Sequence, residues 1–147
     1  MILFLDFDGV LHPFLTRSGP DAFCYTPRLE RVLREFPAVQ IVIASTQREA
    51  VPLAFLVQRF SPDIAVRIVG ATPILEIHDA GDVAGSRHRE ILAYLRGSGA
   101  DWLALDDDAS LFPPGCAELV LCDDGFREAE ERALRVALSR FTYFGKI

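Results

Sequence analysis

The sequence predicts an α/β protein with a three-layer α/β/α, Rossmann-like arrangement, in which helices cover both faces of a five-stranded, mostly parallel sheet. Short apolar runs alternate along the chain with stretches of helical spacing, and this alternation is typical of βαβ crossovers. The chain has 147 residues, half of them apolar, which suits one domain with a sizeable core. We therefore interpret residues 1–147 as a single domain.

Five apolar segments supply the predicted strands. Ile2–Asp6 is a buried run that ends in an acid, and the β-branched content of Val39–Ala44 favours a second buried strand. Ile64–Val69 is a weaker third strand, which we expect Gly70 to end. The fourth and fifth predicted strands are Trp102–Leu105 and Leu119–Cys122.

Four segments have the features of helices. Thr26 and Pro27 predict a helix start, with threonine as the N-cap and proline at the first helical position, and this helix continues over residues 28–36. Apolar residues at helical spacing predict a second helix over residues 53–60. The third and fourth predicted helices are Arg87–Arg96 and Gly125–Phe141.

The charge and cysteine content exclude several classes of protein. A formal charge of −6 with 24% charged residues is ordinary for a globular chain, and it does not indicate non-specific nucleic-acid binding by a basic face. The three cysteines lack metal-ligand spacing and are expected to be reduced thiols. Asp6 interrupts the first apolar run, so we predict neither a signal peptide nor a membrane span, and we expect a cytoplasmic protein without a membrane partner.

Acidic or hydroxyl side chains follow three of the predicted strands, at the points where those strands end. They are Asp6 and Asp8 after the first strand, Ser45 and Thr46 after the second, and Asp106 and Asp107 after the fourth. In open α/β sheets ligands bind beyond the carboxyl ends of the strands. The sequence therefore predicts that these side chains meet in one site at one edge of the sheet.

Asp6 and Asp8 carry the strongest chemical signal. Two carboxylates this close repel each other, and burying them unpaired would be costly. A divalent cation resolves the conflict, and Mg²⁺ suits a site of one or two carboxylates that also binds a substrate phosphate. A bound cation also allows an anionic phosphate to approach an anionic nucleophile. The alternative interpretation is an Asp-Gly turn after a strand, without catalytic function.

The run LFLDFDGVL resembles the first motif of the haloacid dehalogenase (HAD) superfamily, an apolar strand followed by Asp-x-Asp-Gly. The resemblance implies an HAD-like fold and a Mg²⁺-dependent phosphomonoester hydrolase. It implies that Asp6 is the nucleophile that forms an aspartyl-phosphate. It also implies that Asp8 is the general acid for the leaving group and then the base for the hydrolytic water. Dehalogenase members lack the second acid, so Asp8 favours phosphoryl chemistry.

The second and third motifs of the superfamily also have matches. A strand that ends in Ser or Thr matches residues 39–46, where Ser45 is favoured as the hydroxyl donor to the phosphoryl group and Thr46 is the alternative. A basic residue at the start of a helix matches Arg87, with Arg89 as the alternative, and its cation would offset negative charge. The resemblance implies substrate contacts from Gly9, Thr46 and Arg89.

The fourth motif is an acidic pair after a strand, and WLALDDD matches it. We expect Asp107 to be a direct metal ligand, with Asp106 beside it, and Asp108 to be a helix cap or an outward charge. Three consecutive acids after an apolar strand are a poor structural choice without a nearby cation. The implied metal-site residues are Asp6, Asp8, Asp106 and Asp107.

A closer resemblance is to the small capless HAD domain of Swiss-Army-Knife RNA-repair proteins. It rests on the runs DFDGVLHP, ASTQRE and LALDDD and on the Arg-x-x-Glu-Ile spacing that begins at Arg87. We expect that group to carry a tryptophan at the position that Gln47 occupies in this chain.

Neither of the two candidate insertion loops, residues 10–25 and 70–86, is long enough to bury a core of its own, so no cap domain is predicted. An open site would hold a small substrate weakly. The expected substrate is therefore a phosphorylated nucleic-acid end or another macromolecule such as a phosphoprotein. In the alternative arrangement, a homo-oligomer supplies the missing wall.

Two rival functions and the three histidines complete the predictions. A phosphomutase of this superfamily normally carries a sizeable cap. A non-catalytic phosphoacceptor or binding module of receiver-like type would carry an acceptor aspartate after a middle strand, where this chain has Ser45.

His12 lies near the active edge and is expected to be packed or at the surface, with substrate contact as the less favoured role. His78 and His88 are expected to be structural or exposed.

Overall fold

The computed structural model describes residues 1–16 and 18–144, and in these ranges five strands form one sheet. The strands are β1 (Ile2–Leu5), β2 (Gln40–Ile43), β3 (Ile68–Ala71), β4 (Trp102–Asp106) and β5 (Leu119–Leu121). Their order is β3-β2-β1-β4-β5, and every neighbouring pair is parallel. The predicted five-stranded α/β sheet is confirmed, with β1 at its centre. The single-domain prediction extends to residues 145–147, which lie outside the described ranges.

Five α-helices occur in the described ranges, and they connect or follow the strands. They are α1 (Thr26–Glu35), α2 (Leu53–Leu56), α3 (Pro62–Ala65), α4 (Ser86–Leu95) and α5 (Glu128–Phe144). Short 3-10 turns cover Thr46–Glu49, Val57–Arg59, Ala80–Asp82 and Ala109–Leu111. None of the helices in the described part of the chain has both the length and the apolar character that a membrane span needs.

The core consists of two clusters on opposite faces of the sheet, because successive strand side chains point to opposite sides. Leu5 belongs to the larger cluster, which includes Leu29 of α1 and Leu134 of α5. Phe4 belongs to the smaller cluster, with Ile91 of α4. The three-layer arrangement predicted from the sequence is therefore present. The helix α4 packs on the face of the sheet that carries the smaller cluster.

The predicted third strand, Ile64–Val69, is wrong in its position. Residues 62–65 form α3, where Pro62 favours a helix start and Ile64 is fully buried as a helical residue. β3 begins only at Ile68 and continues through Gly70, which the sequence pattern predicts to end it. Gly70 suits the strand because a Cβ added there would lie 3.0 Å from the hydroxyl oxygen of Tyr94.

Two helix predictions also differ from the structure. The N-cap of α1 is Tyr25 rather than Thr26, because the Tyr25 carbonyl already accepts a hydrogen bond from the Leu29 N–H (3.2 Å). The stripe over residues 53–60 is buried at Leu56 and Phe60 as expected, but α2 ends at Leu56 and a 3-10 turn follows. The other predicted helices and strands are present with their ends shifted by a few residues.

Candidate active site

Three carboxylates meet at the carboxyl edge of the two central strands. Asp6 follows β1 directly, and its N–H donates to the carbonyl of Leu105 in β4 (3.0 Å). Asp106 is the last residue of β4, and Asp107 comes next. One oxygen from each of the three carboxylates lies within 4.8 Å of the other two. Asp6 and Asp106 are buried, with 6% and 1% of their surfaces exposed, so sheet pairing brings acids that are distant in sequence into one buried cluster.

The electrostatics of this acidic cluster disfavour three bare charges. Burial raises the pKa of Asp6 well above its ordinary value, the Asp106 carboxylate raises it further, and the Arg87 guanidinium opposes both. Burial also raises the pKa of Asp106, to about 6, and the pKa of Asp107. A divalent cation with oxygen ligands would offset this charge and displace the protons. The donor set therefore fits Mg²⁺.

Gly9 allows Asp107 to join the acidic cluster. Its φ is +77°, in the left-handed region that glycine tolerates best. A Cβ added at Gly9 would overlap the carboxylate of Asp107. Gly9 therefore approaches the cluster too closely for any larger residue to fit, and its contact with the substrate stays a prediction.

Arg87 lies beside the acidic cluster, in the first turn of α4. It is buried, with 4% of its surface exposed, and its Nε lies 3.5 Å from Oδ2 of Asp106. Its Nη1 is buried and has no hydrogen-bond partner among the residues that the structure describes. A buried donor without a partner is uncommon in folded proteins. Arg87 therefore offers an N–H to an incoming anion.

Arg89, the alternative to Arg87, lies elsewhere. Its guanidinium donates to the carbonyl oxygens of Ala84 (2.8 Å) and Asp82, and so it holds the loop that precedes α4. It is exposed and is not among the residues that line the pocket around the acidic cluster. The structure brings Arg87, and not Arg89, to the predicted site.

Ser45 and Thr46 follow β2, next to the end of β1. Ser45 is fully buried, and its Oγ accepts a hydrogen bond from the Gln47 N–H (3.2 Å) as the N-cap of the 3-10 turn. The hydroxyl hydrogen of Ser45 remains available as a donor. Thr46 lines the pocket itself. Ser45 is the neighbour of Thr46 in the chain but does not itself line the pocket, and the choice between the two hydroxyl groups stays open.

Asp8, which the sequence also predicts as a metal-site residue, is not one of the three carboxylates whose oxygens lie within 4.8 Å of one another. Its side chain has hydrogen-bond donors of its own. His12 Nε2 lies 2.9 Å from Asp8 Oδ1, and the amide nitrogen of Gln47 lies 3.2 Å from Oδ1 and 3.3 Å from Oδ2. His12 is completely buried, as a packed histidine. The sequence does not predict its contact with Asp8. The sequence feature that could indicate this contact is the spacing of Asp8 and His12, which are four residues apart with the Gly9 turn between them.

A pocket of about 270 Å³ lies at the acidic cluster. Its apolar walls are Leu111 and Phe14, and Phe14 is 47% exposed at the rim. The backbone N–H of Phe14 donates to Asp124 (2.7 Å), which fixes this part of the loop over the site. The pocket is lined by Asp6, Asp8, Phe14, Thr46, Arg87, Asp107, Asp108 and Leu111.

Other sequence-predicted residues lie outside the acidic cluster. Asp108 caps a 3-10 turn by accepting from the Ser110 N–H (2.9 Å). His78 is exposed beside Glu76 (3.5 Å), and the ring of His88 lies 5.8 Å from that of Trp102. These positions agree with a capping role for Asp108 and with non-catalytic roles for the two histidines.

The strand order separates this chain from receiver modules. In the receiver fold β1 lies between β2 and β3, giving the order 2-1-3-4-5. Here β1 lies between β2 and β4. The receiver-like alternative is therefore wrong at the level of topology.

The chain matches a known family. Residues 2–130 match a family described as the HAD domain in Swiss Army Knife RNA repair proteins. The matched range contains all the residues of the acidic cluster, Arg87 and the two hydroxyl residues. No curated protein and no solved structure matches the chain.

Proposed function

The chain belongs to the family of HAD domains found in Swiss Army Knife RNA repair proteins, and from that premise we propose that it is a Mg²⁺-dependent phosphomonoester hydrolase. Family membership indicates a phosphatase-type hydrolase. The proposal adds the metal, the aspartyl-phosphate intermediate and the class of substrate.

The proposal rests on the position of Arg87 beside the acidic cluster. A buried arginine with an unpartnered Nη1 lies beside three carboxylates whose oxygens are within 4.8 Å of one another. The carboxylates suit a cation, and the guanidinium N–H suits a phosphoryl oxygen. The described residues supply no acceptor for this N–H, and a single guanidinium does not balance three carboxylates. A magnesium-bound phosphate would supply both the acceptor and the positive charge.

Asp6 is the proposed nucleophile. One of its carboxylate oxygens attacks phosphorus, and the bond from phosphorus to the leaving oxygen breaks, which leaves an aspartyl-phosphate. When held by the three carboxylates, Mg²⁺ would offset their charge and polarise the phosphoryl group. Arg87 and the hydroxyl of Ser45 or Thr46 donate to the phosphoryl oxygens as charge develops on them.

Asp8 is the proposed proton carrier. It gives a proton to the leaving oxygen in the first step. In the second step it takes a proton from the water that attacks the aspartyl-phosphate, and inorganic phosphate and free Asp6 result. Its position two residues after Asp6, outside the acidic cluster, keeps the acid/base group separate from the proposed metal ligands.

The substrate is proposed to be a phosphorylated nucleic-acid end. Within the described residues the loops after β1 and β3 contain only turns, so no cap covers the pocket. A pocket of about 270 Å³ can take a phosphate, and specificity must then come from contacts outside it. Phe14 lies at the rim and is 47% exposed, and an aromatic ring in that position is typical of nucleic-acid sites. This ring favours an oligonucleotide over a phosphoprotein.

A phosphate-release screen tests the proposal. It compares 3′- and 5′-phosphorylated oligonucleotides, nucleotides, phosphopeptides, sugar phosphates and an aryl phosphate, each with Mg²⁺ and with EDTA. We expect hydrolysis only with Mg²⁺ and the highest kcat/KM for an oligonucleotide end. Full activity in EDTA would contradict the metal site. A sugar phosphate that is preferred by orders of magnitude in a monomer would contradict the open-site substrate, whereas the same preference in a homo-oligomer would indicate that a partner subunit supplies a wall.

A further inference from the structure

His12 is a buried polar residue that the proposed chemistry does not use directly. The chain turns tightly after Phe7, and the Gly9 N–H donates to the carbonyl of His12 (2.9 Å). This turn returns residue 12 to the side of Asp8, and its imidazole is completely buried there. A buried imidazole requires partners for both of its nitrogens, and these partners define its role.

The hydrogen bonds of His12 fix its tautomer. Its Nδ1 accepts from the backbone N–H of Phe23 (3.3 Å), so Nδ1 carries the lone pair and the proton is on Nε2. Nε2 lies 2.9 Å from Oδ1 of Asp8 and donates to it. The Phe23 ring packs edge-to-face against the imidazole, with centroids 4.8 Å apart. His12 is thus a neutral donor whose orientation is set from two sides.

Gln47 supplies a second donor to the same carboxylate. Only the amide nitrogen can donate, so its contacts of 3.2 and 3.3 Å with the two oxygens of Asp8 fix the orientation of the amide. The backbone N–H of Gln47 donates in turn to Oγ of Ser45. One residue thereby connects the proposed proton carrier to the end of β2.

We propose that His12 and Gln47 are positioning residues that hold Asp8 where it can exchange a proton with the leaving oxygen. This inference rests on the proposed hydrolase function. His12 loses no proton in either step: the proton that reaches the leaving oxygen comes from Asp8, and the water of the second step returns one to Asp8. His12 restrains Asp8 from the buried side and Gln47 from the β2 side.

Dependence on the leaving group distinguishes positioning from general support of the fold. An alkyl phosphate needs a proton at its leaving oxygen, whereas a nitrophenyl phosphate leaves well without one. Displacement of Asp8 should therefore slow the alkyl substrate far more than the aryl substrate. Loss of stability alone would lower both rates by the same factor.

The test compares kcat/KM for an alkyl and a nitrophenyl phosphate in four variants. His12→Phe and Gln47→Leu each remove a donor while retaining bulk. His12→Gln keeps an amide N–H at the distance of Nε2, and His78→Gln is the control at an exposed histidine. We expect the alkyl-to-aryl ratio to fall by roughly tenfold or more in His12→Phe, less in Gln47→Leu, to recover largely in His12→Gln, and to stay unchanged in the control.

Equal losses on both substrates in His12→Phe would overturn the inference, while an inactive wild-type protein would instead overturn the proposed function. A second readout does not need turnover. In ¹⁵N spectra of the wild-type protein at neutral pH, His12 should be protonated at Nε2 and not at Nδ1. A proton at Nδ1, or the same spectrum for His12 in Asp8→Asn as in wild type, would contradict the proposed hydrogen bond to Asp8.

Discussion

Two buried arginines of this protein differ in how their donors are used. Arg48 donates to the carbonyl oxygens of Thr72 (3.0 Å), Ser45 (3.0 Å) and Pro73 (3.1 Å), and its Nη2 lies 2.8 Å from Glu90. Its side chain is 4% exposed, much like that of Arg87 at 5%. Among the residues that the structure describes, Arg87 has one ion-pair contact, with Asp106 at 3.5 Å, and its Nη1 has no hydrogen-bond partner.

From this difference we infer different roles for the two arginines. Arg48 joins the segments after β2 and β3 to α4, and every one of its guanidinium nitrogens is used within the protein. Burial of the Arg87 guanidinium costs a comparable desolvation free energy, but fewer hydrogen bonds and ion pairs within the protein offset it. We infer that a bound anion would offset this cost at Arg87, whereas the full pairing of Arg48 indicates a structural role.

The largest effect is expected at Asp6, the proposed nucleophile. Asp6→Asn should lower turnover by several orders of magnitude, because an amide does not attack phosphorus. Its melting temperature without metal should be equal to or above that of wild type, because one repelling carboxylate is gone. Phosphate release and thermal unfolding measure the two effects. Asp63→Asn, at a surface ion pair with Arg34, is the control that should keep full turnover.

The next largest effect is expected at Arg87. Arg87→Lys keeps the charge but loses the planar fork, so kcat/KM should fall about a hundredfold while the free energy of unfolding changes by about 1 kcal/mol or less. Steady-state kinetics and chemical denaturation measure these values. Wild-type kcat/KM in Arg87→Lys would show that its unpartnered Nη1 has no role in binding phosphate.

Arg48 should give the opposite pattern. In Arg48→Lys several hydrogen bonds from a charged group are lost, so the free energy of unfolding should fall by about 2–4 kcal/mol. At a temperature where the variant is folded, kcat should stay within about threefold of wild type. If Arg48→Lys loses activity as Arg87→Lys does and keeps its stability, the contrast between the two arginines is wrong.

The smallest effect concerns pH. The pKa of Asp106 is raised from 3.8 to about 6, and the pKa of Asp6 is raised too. The folded state therefore binds more protons than the unfolded state between these values, so this cluster's contribution to stability is present below about pH 4 and is lost as the pH rises through about 6. Mg²⁺ bound by the cluster would compete with these protons.

The increase in melting temperature caused by Mg²⁺ should consequently be larger at pH 7.5 than at pH 5. Calorimetry at the two pH values, with EDTA as the metal-free reference, measures it. The increase should disappear in Asp106→Asn. An increase that is larger at pH 5 would contradict metal binding by the acidic cluster.

Much of the fold follows from the sequence because apolar runs and the acids that end them are local signals. Asp6 and Asp106 were predictable as neighbours since both follow buried strands of a parallel sheet. The position of β3 is not predictable in this way. Pro62 and the residues after it form a helical turn, and the apolar side chains of that turn resemble those of a strand.

The acidic residues of the site are predictable from the sequence, whereas the hydrogen-bond partners of Asp8 are not. The choice of Arg87 over Arg89 depends on where α4 begins. Two arginines that are two residues apart do not define that position. The contacts of His12 and Gln47 with Asp8 depend on a glycine turn and on the adjacency of β1 and β2. Such contacts are tertiary, and neither residue type nor spacing specifies them.

The most direct test of the account is to identify the phosphorylated residue. The protein and its Asp8→Asn variant are incubated with Mg²⁺ and an aryl phosphate, quenched in acid, digested and analysed by mass spectrometry. We predict that the variant accumulates one phosphoryl group on Asp6 and that EDTA prevents it. Steady turnover with the phosphoryl group on another residue, or on none in either protein, would contradict the assignment of Asp6 as the nucleophile.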